Sequence, residues 1–301
     1  MNDAGFLIIT SNIAIAEECL PFKLSETITI SKGTEFEKTA FQKMIKDAGY
    51  FSKLIIPLGA KKSVSEIDGT VSWESDETFI PYIILYNGFN KLVPDLELAC
   101  ALMQPKILLG MNGVYADTNH NSLAMYSMMS NEGLYWMGEQ AQKEITTYYK
   151  EDLEELAKIF NCVVSLGNEN HYRRILELYK NTTYIIKNSS LLTLSYFSIL
   201  EALLTNQDGL SITKQLERKI NLLFNLNGFV DHVSFFGNMN SKNLWSKLYA
   251  LRSNIAHGNN YEIDSSLENF EQVNEFLELV VVKLLRFALY NQVLVEDLKE
   301  C

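Results

Sequence analysis

Apolar and polar residues follow two different patterns along the chain, and the change falls near residue 142. Before it, short apolar runs are separated by Gly, Pro and Asn, which predicts β-strands. The predicted strands cover residues 6–15, 22–30, 53–58, 79–86 and 106–115. Helices are predicted over residues 34–48 and 95–103. We therefore predict a mixed α+β domain over residues 1–142.

From residue 143 onward, the apolar positions recur at the spacing of amphipathic helices. The predicted helices cover residues 144–160, 171–187, 189–205, 211–226, 241–257 and 265–298. Successive helices with apolar faces and short connections are typical of an up-and-down bundle. We therefore predict an all-α helical bundle over residues 143–301.

The charge balance limits the partners that the chain can have. The 301 residues carry 26 Lys and Arg against 37 Asp and Glu, a net charge of −11. A protein that coats duplex nucleic acid needs many cations to neutralise phosphates, so that class is excluded. A local and brief contact with RNA is still compatible with this charge. All five Arg lie after residue 170, in the predicted bundle.

Cysteine spacing and apolar segments indicate the compartment. The four Cys form no CxxC pair, so neither a zinc site nor a disulfide framework is expected. The N-terminus lacks the pattern of a secretory signal. The longest apolar stretch, residues 276–290, contains Glu278, Lys283 and Arg286, which is too much charge for a spanning helix. We expect a cytoplasmic protein with reduced thiols and no membrane association.

Common cofactor and nucleophile motifs are missing from the sequence. It contains no phosphate-binding Gly-Lys-Ser/Thr loop and no GxGxxG, HExxH or GxSxG motif. We expect no cofactor and no metal. The remaining candidate chemistry lies in residues 251–258, Leu-Arg-Ser-Asn-Ile-Ala-His-Gly.

Residues 251–258 are predicted to form the end of a helix, with Gly258 as the left-handed residue that follows it. The helix C-terminus favours a protonated His257, and an imidazole is suited to general acid–base catalysis near neutral pH. The guanidinium of Arg252 can bind two phosphate oxygens at once. Ser253 and Asn254 share the helix face of His257, whereas Arg252 lies about 140° away around the helix.

Three segments of the second part together resemble the HEPN superfamily, most closely its Apea-like branch. They are residues 196–205, YFSILEALLT, residues 212–220, ITKQLERKI, and residues 248–258, LYALRSNIAHG. The resemblance covers roughly residues 145–301, and the segments follow the family's order. It implies an up-and-down helical bundle and, in many members, a metal-independent endoribonuclease of toxin or antiphage-defence systems.

The family's mark is Arg-x4–6-His at the end of a late helix. The resemblance therefore implies that Arg252 and His257 are catalytic, with Ser253 or Asn254 as an accessory residue. Glu201 matches the family's acidic residue, and it either supports Arg252 or His257 or forms a structural ion pair. The family also implies a homodimer with RNA as substrate, and an antitoxin or a phage-derived activator as a further partner.

Three other interpretations stay open at the level of sequence. The first is a non-catalytic HEPN module for dimerisation or interaction, in which Arg252 and His257 only satisfy carbonyls at the helix end. The second is a ligand site in the N-terminal part near Asp117 and His120, which otherwise form a plain turn. The third is a membrane-surface role for the terminal helix, although its apolar residues surround it as in a buried helix.

Overall fold

A computed structural model of the protein describes residues 4–9, 13–47, 60–65, 67–75, 80–88, 92–129, 145–206, 212–259 and 262–300. The chain divides into two compact units, residues 1–161 and 162–301. The first unit is α+β and the second is helical, as predicted. The predicted boundary at residues 142 and 143, like the predicted strand at 53–58, lies outside the described residues.

The first unit is built around an antiparallel sheet. The described strands are β1 (Gly5–Ile9), β2 (Ile13–Ile15), β3 (Phe22–Lys23), β4 (Ile28–Lys32), β5 (Ala60–Val64), β6 (Val71–Ser75), β7 (Tyr82–Tyr86), β8 (Leu109–Tyr115), β9 (Leu123–Met128) and β10 (Thr146–Tyr148). Six of them form one sheet in the order β3-β4-β7-β1-β8-β9. All five residues of β1 are buried, as expected of an interior strand, and β1 lies between β7 and β8. Separate pairs are formed by β5 with β6 and by β2 with β10.

Helix α1 (Glu35–Asp47) belongs to the core of this unit, and α2 (Val93–Ala101) precedes β8. Phe41 and Met44 of α1 join Phe6 and Ile8 of β1 in one hydrophobic cluster. The start of α1 is fixed by Glu37, which accepts hydrogen bonds from the backbone N–H of Thr34 at 2.7 Å and from the Tyr115 hydroxyl at 2.7 Å. This capping arrangement explains how a carboxylate can be buried here.

The second unit is formed by the helices that follow α3 (Lys150–Ser165), a helix that crosses the boundary between the units. These helices are α4 (His171–Thr182), α5 (Ser190–Leu204), α6 (Ile212–Asn227), α7 (Val233–Phe236), α8 (Ser241–Ala256), α9 (Phe270–Tyr290) and α10 (Gln292–Glu300). Helix α5 contacts α4, α6, α8, α9 and α10. Its central position explains why ten of its 15 residues are apolar and only one is charged.

The terminal segment departs from the prediction of one helix over residues 265–298. A 3-10 turn at Ser265–Leu267 precedes α9, and Asn291 separates α9 from α10. The Asn291 side chain donates to the Phe287 carbonyl at 3.0 Å, and its backbone N–H donates to Ala288. An Asn side chain that bonds local backbone competes with helix continuation, so the prediction of a single helix was wrong at this residue.

A buried polar network joins α9 to α5 and to the segment before it. Asn274 accepts a hydrogen bond from the Thr193 hydroxyl at 2.6 Å. Its amide donates to the carbonyls of Lys187 at 2.7 Å and Ser189 at 3.0 Å. Asn274 is only 2% exposed, so each of these bonds is shielded from water.

We expect Asn274→Ala to lower the free energy of unfolding by about 3 kcal/mol, because it leaves a hydroxyl and two carbonyls without their partner. Urea unfolding measures this change. Glu275→Ala, at an exposed position of the same helix, is the matched control and should change the value by less than about 0.5 kcal/mol. Equal stability of the two variants would contradict the role given to this network.

Candidate active site

Helix α8 carries the candidate catalytic residues and is fixed at both ends by local bonds. Its N-cap Asn240 accepts from the backbone N–H of Asn243, and its apolar face buries Leu244, Trp245, Leu248 and Leu251. At the other end, the His257 N–H donates to the Ser253 carbonyl at 3.1 Å. Gly258 follows with φ +65°, the left-handed conformation predicted for the residue after the helix.

Arg252 turns toward the central helix α5. Its Nη2 donates to Glu201 Oε2 at 2.8 Å, and the side chains are 23% and 18% exposed. The guanidinium also lies over the ring of Tyr249, with Cζ 5.7 Å from the ring centroid. The sequence suggested either Arg252 or His257 as the partner of Glu201, and in the structure the partner is Arg252.

The contact between Arg252 and Glu201 is incomplete. Arg252 Nε and Glu201 Oε1 are buried and have no hydrogen-bond partner. A guanidinium and a carboxylate can form two parallel bonds, but here the pair forms one. Within the described part of the chain, only two other side-chain atoms, on Asn206 and Gln215, are buried without a partner.

His257 is exposed, and within the described residues its ring forms no hydrogen bond. It lies five positions after Arg252, about 140° around an ideal helix. One chain thus supplies an exposed imidazole at the helix end and a guanidinium bonded to Glu201 of α5.

The predicted accessory residues contribute through their backbone. Ser253 is half-buried, and its carbonyl accepts from the His257 N–H. Asn254 is exposed, its carbonyl accepts from the Asn259 N–H at 3.0 Å, and its side chain accepts from the Asn259 amide at 3.4 Å. These bonds close the turn that presents His257.

Two contacts of α8 were not predicted from the sequence. Tyr249 lies three residues before Arg252, a spacing that puts them on neighbouring positions of a helix and could have indicated their contact. Lys247 donates to Asp264 at 2.7 Å and to the Ser266 hydroxyl at 2.9 Å. The side chains of Lys247 and Asp264 are 36% and 45% exposed, and the carboxylate lies beyond the helix end, where spacing gave no signal.

The candidate ligand residues of the N-terminal unit are engaged within their own loop. Asp117 accepts from the N–H of Asn119 at 2.8 Å and from the Ser122 hydroxyl at 2.5 Å. The His120 ring stacks on Tyr115 with centroids 4.0 Å apart. Burial raises the pKa of Tyr115, which keeps its hydroxyl protonated and donating to Glu37. This arrangement is that of a well-satisfied turn.

Two further features concern metal binding and membrane insertion. Over the described residues, no group of three or more His, Cys, Asp or Glu is placed to hold a metal ion. None of the helices described is long and apolar enough to cross a bilayer. Comparisons of the chain with family models, curated proteins and solved structures gave no match.

Proposed function

We propose that this protein is a metal-independent endoribonuclease with a HEPN-like helical bundle, acting in the cytoplasm as a toxin or antiphage-defence effector. The observation that carries the proposal is the end of α8. There an exposed His257 comes directly before the left-handed residue Gly258, and Arg252 is held near the same helix end by Glu201. An imidazole and a guanidinium are sufficient for metal-independent cleavage of an RNA phosphodiester.

The proposed reaction is a transesterification within the RNA. A base removes the proton of the ribose 2′-hydroxyl, whose oxygen attacks the adjacent phosphorus. The bond to the 5′-oxygen of the next nucleotide breaks, and an acid protonates that leaving oxygen. The products are a 2′,3′-cyclic phosphate and a 5′-hydroxyl, so atoms and protons balance without a metal or a cofactor.

His257 exchanges a proton in this scheme as the base or the acid. Arg252 stabilises the additional negative charge on the phosphorane-like transition state through its N–H groups. The ring of His257 forms no hydrogen bond within the described residues of its own chain, and we propose that a second copy completes the site through a homodimer of helical bundles. The second His257 then takes the complementary acid or base role.

The partners of the proposal follow from the resemblance to the HEPN superfamily. RNA is the substrate, and an antitoxin or a phage-derived activator controls access to the site. The net charge of −11 is compatible with an enzyme that contacts RNA at one site only, rather than over much of its surface. The N-terminal unit then has a sensing or restraining role.

The test is incubation of the purified protein with total RNA in EDTA, followed by mapping of both product ends. We expect cleavage that persists in EDTA and leaves cyclic phosphate and 5′-hydroxyl ends. Products with 3′-hydroxyl and 5′-phosphate ends, or loss of cleavage in EDTA, would contradict the proposed chemistry.

A second candidate function is a non-catalytic HEPN module for dimerisation or interaction. The observation in its favour is that Arg252 is largely enclosed and already bonded to Glu201, as a purely structural cation would be. Expression of wild type and of Arg252→Ala separates the two. Growth arrest or RNA degradation by the wild type alone supports the ribonuclease, whereas identical behaviour of both proteins supports the module.

A further inference from the structure

Glu201 occupies an unusual place in the helical unit. It is the only charged residue in α5, the helix that contacts five others at the centre of the unit. A carboxylate in such surroundings needs a partner to offset its desolvation. That partner is Arg252, at 2.8 Å, and the cation belongs to the proposed phosphate-binding site.

The negative charge of Glu201 neutralises the positive charge of Arg252, which is the charge that would attract an RNA phosphate. Helix α8 contains Lys242, Lys247 and Arg252 and no acidic residue, so by sequence it is suited to attract an anion. In the structure Lys247 is paired with Asp264 and Arg252 with Glu201. A phosphate that approaches Arg252 therefore meets a neutral pair within a chain of net charge −11.

The pair is also incompletely hydrogen-bonded. Arg252 Nε and Glu201 Oε1 are buried and unpartnered, so the pair lacks the second bond that a bidentate arrangement would give. Leaving buried polar atoms unsatisfied costs free energy. A phosphate has enough oxygens to bond several N–H groups of one guanidinium, which a single carboxylate oxygen does not do here.

We propose that Glu201 restrains this site, because its carboxylate competes with the RNA phosphate for the guanidinium of Arg252. Tight binding of substrate then requires that the carboxylate is displaced or neutralised. The identity of the anion as an RNA phosphate rests on the proposed function, whereas the competition itself rests on the ion pair. Glu201 thus acts through Arg252 and sets how strongly the site holds an anion.

The test measures binding of a fluorescent 2′-O-methyl oligonucleotide, which has no free 2′-hydroxyl and cannot be cleaved by this route. Glu201→Gln keeps an oxygen acceptor but removes the charge, and we expect it to lower the Kd roughly tenfold. Glu201→Asp keeps the charge but shortens the side chain, so it should lower the Kd less than Glu201→Gln does. Glu275→Gln, an exposed change of equal charge on α9, should shift the Kd by less than about twofold.

The salt dependence of binding separates this role from a purely structural one. If Glu201→Gln frees one cation for a phosphate, the slope of log K against log salt should become steeper by about 0.7. In the double variant Glu201→Gln, Arg252→Gln, both the tighter binding and the steeper slope should disappear. Unchanged affinity and slope in Glu201→Gln would overturn the proposal.

Separate control experiments test whether the variants are folded and whether the wild type cleaves RNA. Thermal unfolding reports whether Glu201→Gln is folded, and Glu201→Ala provides a second neutral variant with the same expected direction. If the neutral variants of Glu201 bind the oligonucleotide more tightly but the wild type does not cleave RNA, the ribonuclease proposal is rejected. The proposed competition between Glu201 and a phosphate is then still supported. Cleavage by wild type, with no gain of binding in either folded neutral variant, would reject the restraint alone.

Discussion

Replacement of His257 by Ala should reduce RNA cleavage by about 10³-fold, because it removes the group that we propose exchanges the proton. His257 is exposed and its ring makes no hydrogen bond to the described residues, so the fold should lose little stability. The proposed dimer should also persist. Initial rates on RNA, unfolding curves and light scattering measure the three quantities on the same preparation.

The matched control is His120→Ala in the N-terminal unit, whose ring stacks on Tyr115. It should lose some local stability but keep the cleavage rate of the wild type. Retained cleavage by a folded His257→Ala protein would reject the assignment of His257. Loss of cleavage in His120→Ala alone would instead favour a functional site in the N-terminal unit.

Replacement of Arg252 by Ala should affect both activity and stability. Cleavage should fall by roughly 10²-fold or more, because the transition state loses its cationic donor. The free energy of unfolding should fall by about 2 kcal/mol, because Glu201 is left half-buried without its partner. This loss is smaller than for a fully buried pair because water reaches about a fifth of each side chain.

A double-mutant cycle with Glu201→Ala distinguishes the two effects of Arg252. The variant Arg252→Ala, Glu201→Ala removes both charges, so much of the lost stability should return, while cleavage should stay low. A double variant that recovers cleavage as well would show that Arg252 is not needed for the reaction. Additive losses of stability would contradict an interaction between the two side chains.

The helix that bears the site was predictable because its signals are local. Apolar residues recur along one face, and Gly258 ends the helix in a conformation that other residues rarely adopt. The prediction of a helix over residues 241–257 matches Ser241–Ala256 with His257 as C-cap. The spacing of five residues also places Arg252 and His257 about 140° apart around this helix.

The partner of Arg252 could not be chosen from the sequence, because Glu201 lies 51 residues earlier in the chain. Only the packing of α5 against α8 brings them together.

The hairpin of β5 and β6 was missed for another reason. Its segment AKKSV lacks the apolar alternation that predicts strands, and VSWES alternates over only two apolar positions, Val71 and Trp73. The break at Asn291 was missed because apolar residues continue past it in Val293 and Val295.

The most direct test of the proposed reaction uses RNA with a single 2′-deoxyribose at a mapped cleavage site. Transesterification needs the 2′-hydroxyl of that one nucleotide, and the phosphate and base are unchanged. We expect cleavage to cease at the substituted position and to continue at other sites of the same strand. Undiminished cleavage at the 2′-deoxy position would contradict the mechanism proposed for Arg252 and His257.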